Sequence, residues 1–146
     1  MNLEEWLDEF VAWLEGFPWC WFCSLTFCPG LSPAQARWRL RKWADALRDA
    51  LGTSDFQWIA VPEHGRTGMD FHYHVLIAGL RECHAPQRVE WMRRSGKIGG
   101  DALIDTYKSD ARGVRYILKH VNPNDMDNLE LHLNARTQLQ TNLATK

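Results

Sequence analysis

No stretch of this sequence approaches the roughly 20 consecutive apolar residues that a membrane-spanning helix needs. The basic start of a secretory signal is also missing, because the chain opens Met1-Asn2-Leu3-Glu4-Glu5. Both absences point to an intracellular, cytoplasmic protein with no membrane partner. Cysteine is scarce: Cys20, Cys23, Cys28 and Cys83 are the only four. In a reducing compartment they default to free thiols rather than a disulfide framework. An excess of one charge is missing too, with 17 Lys and Arg against 18 Asp and Glu. That argues against a protein that coats nucleic acid by bulk electrostatics alone. Internal repeats and low-complexity tracts are absent, which removes solenoids and disordered arrays.

What remains is a chain of 146 residues, 45% hydrophobic and 24% charged, with 8 Trp. This is the profile of one folded domain with a substantial core. The near-neutral total hides a split. Residues 1–15 hold five acidic side chains and no Lys or Arg, whereas residues 16–121 hold 15 Lys and Arg against 10 Asp and Glu. A positive body behind an acidic helix can still meet an anionic partner locally.

The periodicity predicts a helix over residues 2–15, with Leu3, Trp6, Leu7, Phe10, Val11 and Leu14 on one face. Gly16 and Pro18 end it. Residues 19–27 are aromatic, apolar and uncharged, which predicts a buried strand. Ser32-Pro33 predicts an N-cap and first-turn proline for a helix to about residue 51. Its apolar stripe is Ala36, Leu40, Trp43, Ala44 and Leu47, and Arg37, Arg41 and Arg48 share another face. Residues 52–55 read as a linker. Residues 56–63 and 71–79 read as a hairpin turning at residues 65–70. A short helix over 86–94, a strand over 102–107 and a helix from Ser109 to about residue 121 follow. Residues 122–146 read as a polar tail with a weak alternating segment over 129–133. The predicted fold class is α+β. Its β-α-β-β-α-β core is the ferredoxin-like, RRM-like antiparallel sheet flanked by helices, with an extra N-terminal helix.

The run Phe71-His72-Tyr73-His74-Val75-Leu76-Ile77 carries the first chemistry. Residues two apart on a strand share a face, so His72 and His74 project together and Phe71, Tyr73, Val75 and Ile77 face the core. Two adjacent imidazoles make a metal clamp. Across the hairpin Glu63 would stand opposite His72 and complete a nitrogen and oxygen donor set suited to Mn²⁺ or Mg²⁺. A one-residue slip in register would bring His64 there instead. On the last helix Val114, Ile117, Leu118 and Val121 form an apolar stripe, and Arg112, Arg115, Tyr116 and Lys119 occupy another face. Cations around a phenol favour its phenolate and attract a phosphate. The spacing Cys20-x-x-Cys23 also suggests zinc, but residues three apart on a strand point to opposite faces, so buried thiols are the better reading.

Taken in order, these pieces resemble one family. The strand Phe22-Cys23-Ser24-Leu25-Thr26-Phe27, the pair His72-Tyr73-His74 and the helical Tyr116-Ile117-Leu118-Lys119 resemble the three motifs of HUH endonucleases, in their single-tyrosine branch of rolling-circle replication initiators. The resemblance spans residues 19–121 of an expected domain at 1–121. It implies that His72, His74 and Glu63 bind a divalent metal and that Tyr116 attacks single-stranded DNA. The product would be a 5′-phosphotyrosine and a free 3′-hydroxyl, with Lys119 positioning the tyrosine or balancing charge. It further implies a partner strand at a replication origin, with a hairpin or a host helicase as candidate companions, and a monomer or homodimer serving a bacterial, archaeal or viral replicon. Arg37, Arg41, Arg88, Arg93, Arg94, Arg112 and Arg115 are the candidate DNA contacts. Two other readings stay open: a single-tyrosine transposase with the same chemistry, and a non-catalytic nucleic-acid-binding module of the same fold.

Overall fold

A computed structural model describes residues 2–27, 30–64, 71–95, 100–109, 112–119, 121 and 129–134, except the side chains at 64, 71, 93 and 95. The order is α1 (Leu3–Glu15), β1 (Trp19–Phe27), α2 (Pro33–Leu51), β2 (Gly52–His64), β3 (Phe71–Leu80), α3 (Ala85–Ser95), β4 (Gly100–Thr106), α4 (Gly113–Leu118) and β5 (Glu130–His132). The strands form one sheet in the order β4-β1-β3-β2-β5. Every neighbouring pair is antiparallel. Removing α1, α4 and β5 leaves the expected β-α-β-β-α-β core, so the α+β, ferredoxin-like fold is the observed one. No described helix is long and apolar enough to cross a membrane.

Local chemistry explains where the helices start. Asn2 and Glu5 form a reciprocal capping box at the head of α1, and Ser32 and Gln35 form another before Pro33. Each box satisfies backbone donors that the first helical turn leaves orphaned. The stripe Ala36, Leu40, Trp43, Ala44 and Leu47 is buried along α2, as its spacing predicts.

The sheet sorts its side chains onto two faces. One carries Trp21, Cys23, Leu25, Trp58, Tyr73, Val75, Ile77 and Ile104, and α2 and α3 cover it. The other carries Ile59, Val61, Leu76 and Ala78, and α1 and α4 cover part of it through Val11, Leu14, Val114, Ile117 and Leu118. Fully burying such side chains contributes about 1.5–3 kcal/mol each. At the opposite end from α1 this second face stays open, and polar residues replace the apolar ones there.

Several local expectations are corrected. Strand β2 starts at Gly52, which pairs with Leu80, so residues 52–55 belong to the strand rather than to a linker; a bulge between Gly52 and Gln57 absorbs their irregular spacing. Gly79 lets β2 pass that closely. Its φ is +80°, and a β-carbon there would meet the Asp55 carbonyl. The last core helix runs only from Gly113 to Leu118, not from Ser109, because Arg112 at φ 55° starts it in a left-handed turn. The alternating segment in the expected polar tail forms β5 on the β2 edge. A bulge between Trp19 and Trp21 resets the alternation of β1. It sends Cys20 to the same core as Cys23, where strict alternation placed them apart. The turn at 65–70, Cys28 and the stop at 122–125 lie outside the described residues.

Candidate metal and tyrosine centre

The open end of the second face gathers one residue set from three strands. Register pairs Glu63 with His72, Val61 with His74, and Ser24 with His74. Glu63 thus stands directly across from His72, in the register the hairpin predicts. The shorter contact is the diagonal one: Glu63 Oε2 lies 2.6 Å from His74 Nε2 and 3.2 Å from His72 Nε2. Donor atoms of Glu63, His72 and His74 all lie within 4.8 Å of one another. No second such group occurs among the described residues. His64 pairs with Phe71, one step out of the Glu63 register, and its side chain lies outside the described residues.

The donor set fits a borderline or hard divalent ion. Two imidazole nitrogens and a carboxylate oxygen converge, and a second layer orients them. Ser24 Oγ lies 3.2 Å from His74 Nδ1. A neutral ring that donates from Nε2 to Glu63 accepts the Ser24 hydroxyl at Nδ1; a ring that ligates through Nε2 would instead donate from Nδ1 to that hydroxyl. The electrostatics agree. Burial holds the His74 imidazole below its usual range, against the pull of Glu63, which favours the neutral, ligating form. The hydrogen bond from His74 holds the Glu63 carboxyl below its usual range, so it is ionised near neutrality. The cysteines stay apart from this chemistry. Burial pushes the Cys23 thiol far up, and burial followed by a hydrogen bond to Cys20 pushes Cys83 up to about 11.

Helix α4 brings the tyrosine. It packs through Val114, Ile117 and Leu118, all buried, and leaves Tyr116 47% exposed. The Tyr116 ring stands edge-on to His74 with centroids 5.5 Å apart, and 6.1 Å from Phe22. Lys119 Nζ lies 4.1 Å from the Tyr116 ring centroid. His72, His74, Glu63, Tyr116 and Lys119, distant in sequence, therefore form one cluster.

Three features hold α4 over the sheet. Arg115 pairs with Asp8 of α1. Gly113 sits so close to Tyr107 and Phe22 that a β-carbon would lie 2.8 Å from Tyr107 Cε2 and 3.2 Å from Phe22 Cδ2. Tyr107 takes a hydrogen bond from the Val114 backbone N–H, although burial is the larger influence and raises its pKa. Sequence reading missed Tyr107 in this role; the signal was its position just ahead of the helix.

The arginines divide. Arg112 immediately precedes α4 and Arg115 stands on it, and Arg88 lines a cavity together with Tyr116. Arg94 lies over the Trp91 ring at 4.6 Å. Arg37 and Arg41 are not brought to the cluster. They lie on α2, across the sheet, and both pair with buried Glu130 of β5 at 3.1 and 2.9 Å. The side chain of Arg93 lies outside the described residues. Glu130, which also accepts from His132 at 2.7 Å, was missed in the sequence because it sits in a weakly alternating segment.

A comparison with known proteins agrees with this arrangement. No curated protein and no solved structure matches the chain. A family model described as replication-associated protein ORF2 matches residues 20–125, from β1 past α4, and so covers the histidine pair and the tyrosine helix together. On that match the chain belongs to the replication-associated protein ORF2 family.

Proposed function

We propose that this protein is a single-tyrosine HUH endonuclease and strand transferase that initiates rolling-circle replication of a plasmid or virus. It would nick and rejoin single-stranded DNA at the replicon's origin. The observation that carries the reading is the exposed Tyr116 standing against His74 of the Glu63, His72 and His74 cluster, with Lys119 above its ring. The family membership supports the replication role.

Glu63, His72 and His74 would hold Mn²⁺ or Mg²⁺, and such an ion supplies Lewis-acid polarisation of a phosphate oxygen. Tyr116 Oη attacks phosphorus in line with the 3′-oxygen. The Oη–P bond forms and the P–O3′ bond breaks. The phenolic proton leaves to solvent, and the departing 3′-oxygen gains one. The 5′-phosphotyrosine keeps the phosphodiester bond energy, so a 3′-hydroxyl can reverse the step and join strands. Lys119 offsets the negative charge that builds on the phosphate and the phenolic oxygen. Ser24 holds His74 in orientation. Positioning and charge neutralisation do most of the work in phosphoryl transfer, and a rigid sheet with a pinned helix suits that demand.

The test uses single-stranded oligonucleotides tiled across the replicon that encodes the protein, incubated with Mn²⁺ and run on a denaturing gel. A slower protein band that needs both Mn²⁺ and Tyr116 is the expected result. A folded protein that gives no such band on any oligonucleotide would overturn the reading in favour of a non-catalytic nucleic-acid-binding module.

A further inference from the structure

A cavity of about 540 Å³ opens beside Tyr116 at the other half of the sheet. The metal-ligand candidates lie on β2 and β3 and do not line it. Its wall comes from β1, β4 and the segments next to them: Phe22, Asp105, Tyr107 and Lys108, with Arg88 reaching over from α3. Tyr116 stands on the boundary, lining this cavity on one side and meeting His74 on the other.

We infer that this cavity is a nucleotide subsite that seats one base of the single-stranded DNA flanking the bond Tyr116 attacks. The inference rests on the function proposed above. The volume falls within the range of small-ligand sites. The chemistry of the wall matches the parts of a nucleotide. Phe22 and Tyr107 are half-buried rings that offer a stacking surface. Arg88 and Lys108 are cations with no carboxylate partner among the described residues, whereas Arg37, Arg41 and Arg115 are each paired. The unpaired cations are placed to meet the phosphates on either side of a seated base. Asp105 pairs across the ladder with Phe22 and is exposed, so its carboxylate lies beside the stacking ring.

That carboxylate decides which base fits. It accepts hydrogen bonds and has none to give when ionised. Cytosine, adenine and guanine present an exocyclic amino donor; thymine's one donor, N3–H, sits between two carbonyl oxygens that repel an approaching carboxylate. The subsite therefore disfavours thymine. One correctly aimed base contact discriminates by roughly fivefold or more. The cavity thus reads sequence beside the nick, which the metal-ligand candidates and Tyr116 cannot do, because they address only the backbone phosphate.

The experiment separates binding from chemistry. A random-sequence single-stranded DNA pool is bound to the Tyr116→Phe protein, and the retained strands are sequenced. The same is done with Asp105→Asn and with Arg88→Ala in that background, each checked for an unchanged thermal melt. The expected profile is depleted in thymine about fivefold at one position. Asp105→Asn, which adds an N–H donor in the same shape, should relax that position alone. Arg88→Ala should weaken retention of all sequences and reduce the salt slope by about one unit. A profile unchanged by Asp105→Asn overturns the inference, as does a uniform loss of retention in Asp105→Asn without a change in profile. Absence of any retention overturns it as well. The covalent adduct of the unsubstituted protein is scored separately. An adduct with a profile indifferent to Asp105 refutes the subsite and keeps the nuclease; a profile that depends on Asp105 without any adduct does the reverse.

Discussion

Replacing Gly113 with Ala should cost far more activity than stability. The added β-carbon would lie 2.8 Å from Tyr107 Cε2, 3.2 Å from Phe22 Cδ2 and 3.3 Å from Tyr107 Cδ2. Comfortable carbon contacts begin near 3.5 Å, so the tightest one must open by roughly 0.7 Å. Neither ring yields easily. Tyr107 is tied to the Val114 backbone, and Phe22 lies against both His74 and Tyr116. Overpacking of this kind costs about 1–3 kcal/mol. Ala recovers up to about 1 kcal/mol through helix propensity and a less flexible unfolded chain. The net loss is then about 0–2 kcal/mol, a fall in melting temperature of no more than about 8 °C. The same shift moves the start of α4, three residues before Tyr116. Misplacing a reacting group by about 1 Å can cost about 100-fold in rate. The expected result is a folded protein whose initial rate of DNA adduct formation drops about 10–100-fold, with Mn²⁺ affinity unchanged. Single-turnover gels and a thermal melt on one preparation measure both. A rate within about twofold of the unsubstituted protein would refute the claim that close packing at Gly113 positions the tyrosine.

Other consequences follow from the same geometry. Titration calorimetry with Mn²⁺ should show binding lost in Glu63→Ala and weakened about 10-fold in Ser24→Ala, which removes the partner of His74 Nδ1; equal affinity in all three proteins would deny the cluster its role. Lys119→Met should slow adduct formation about 10–100-fold without abolishing it, since the charge over the Tyr116 ring goes while the tyrosine stays; an unchanged rate would leave Lys119 without function there. Glu130 should make stability fall in acid. Burial opposes its ionisation, but hydrogen bonds from Arg41 and His132 outweigh it and hold the carboxyl below its usual range. A depressed folded value means stabilisation present above pH 4.5 and lost as pH falls through the folded pKa. Glu130→Gln should lower stability at pH 7 by about 1–3 kcal/mol and flatten the acid limb of the melting curve; an identical pH profile would rule out the Glu130 network as its source.

The parts of this fold that were legible in the sequence share one property: their pattern is local. The α2 stripe, the capping residues Ser32 and Pro33, and the alternation that sends His72 and His74 to one face each depend on spacings of two to four residues. The pairing of Glu63 with His72 was also legible, because a hairpin makes its two strands neighbours. The illegible features depend on contacts between distant segments or on departures from regular geometry. The bulge at Trp19 and Trp21 reversed the expected placement of Cys20 relative to Cys23. The left-handed Arg112 shortened the tyrosine helix. Glu130 captured Arg37 and Arg41 from 89 or more positions away, so two arginines that read as a basic face on α2 are tied to a strand across the sheet. Tyr107 sits at a strand end, and its place against Gly113 became visible only once α4 was folded onto the sheet.

The central claim is that Tyr116 is the attacking nucleophile, and the chain has only three tyrosines against which to test it. The most direct measurement is mass spectrometry of the peptides left after an Mn²⁺-dependent adduct is digested with nuclease and protease. The account predicts a residual nucleotide mass on the peptide containing Tyr116, and none on those containing Tyr73 or Tyr107. Tyr73 is buried on the opposite face of the sheet, and Tyr107 is packed against Gly113. A nucleotide mass on either of them, or an adduct that survives Tyr116→Phe, would contradict it.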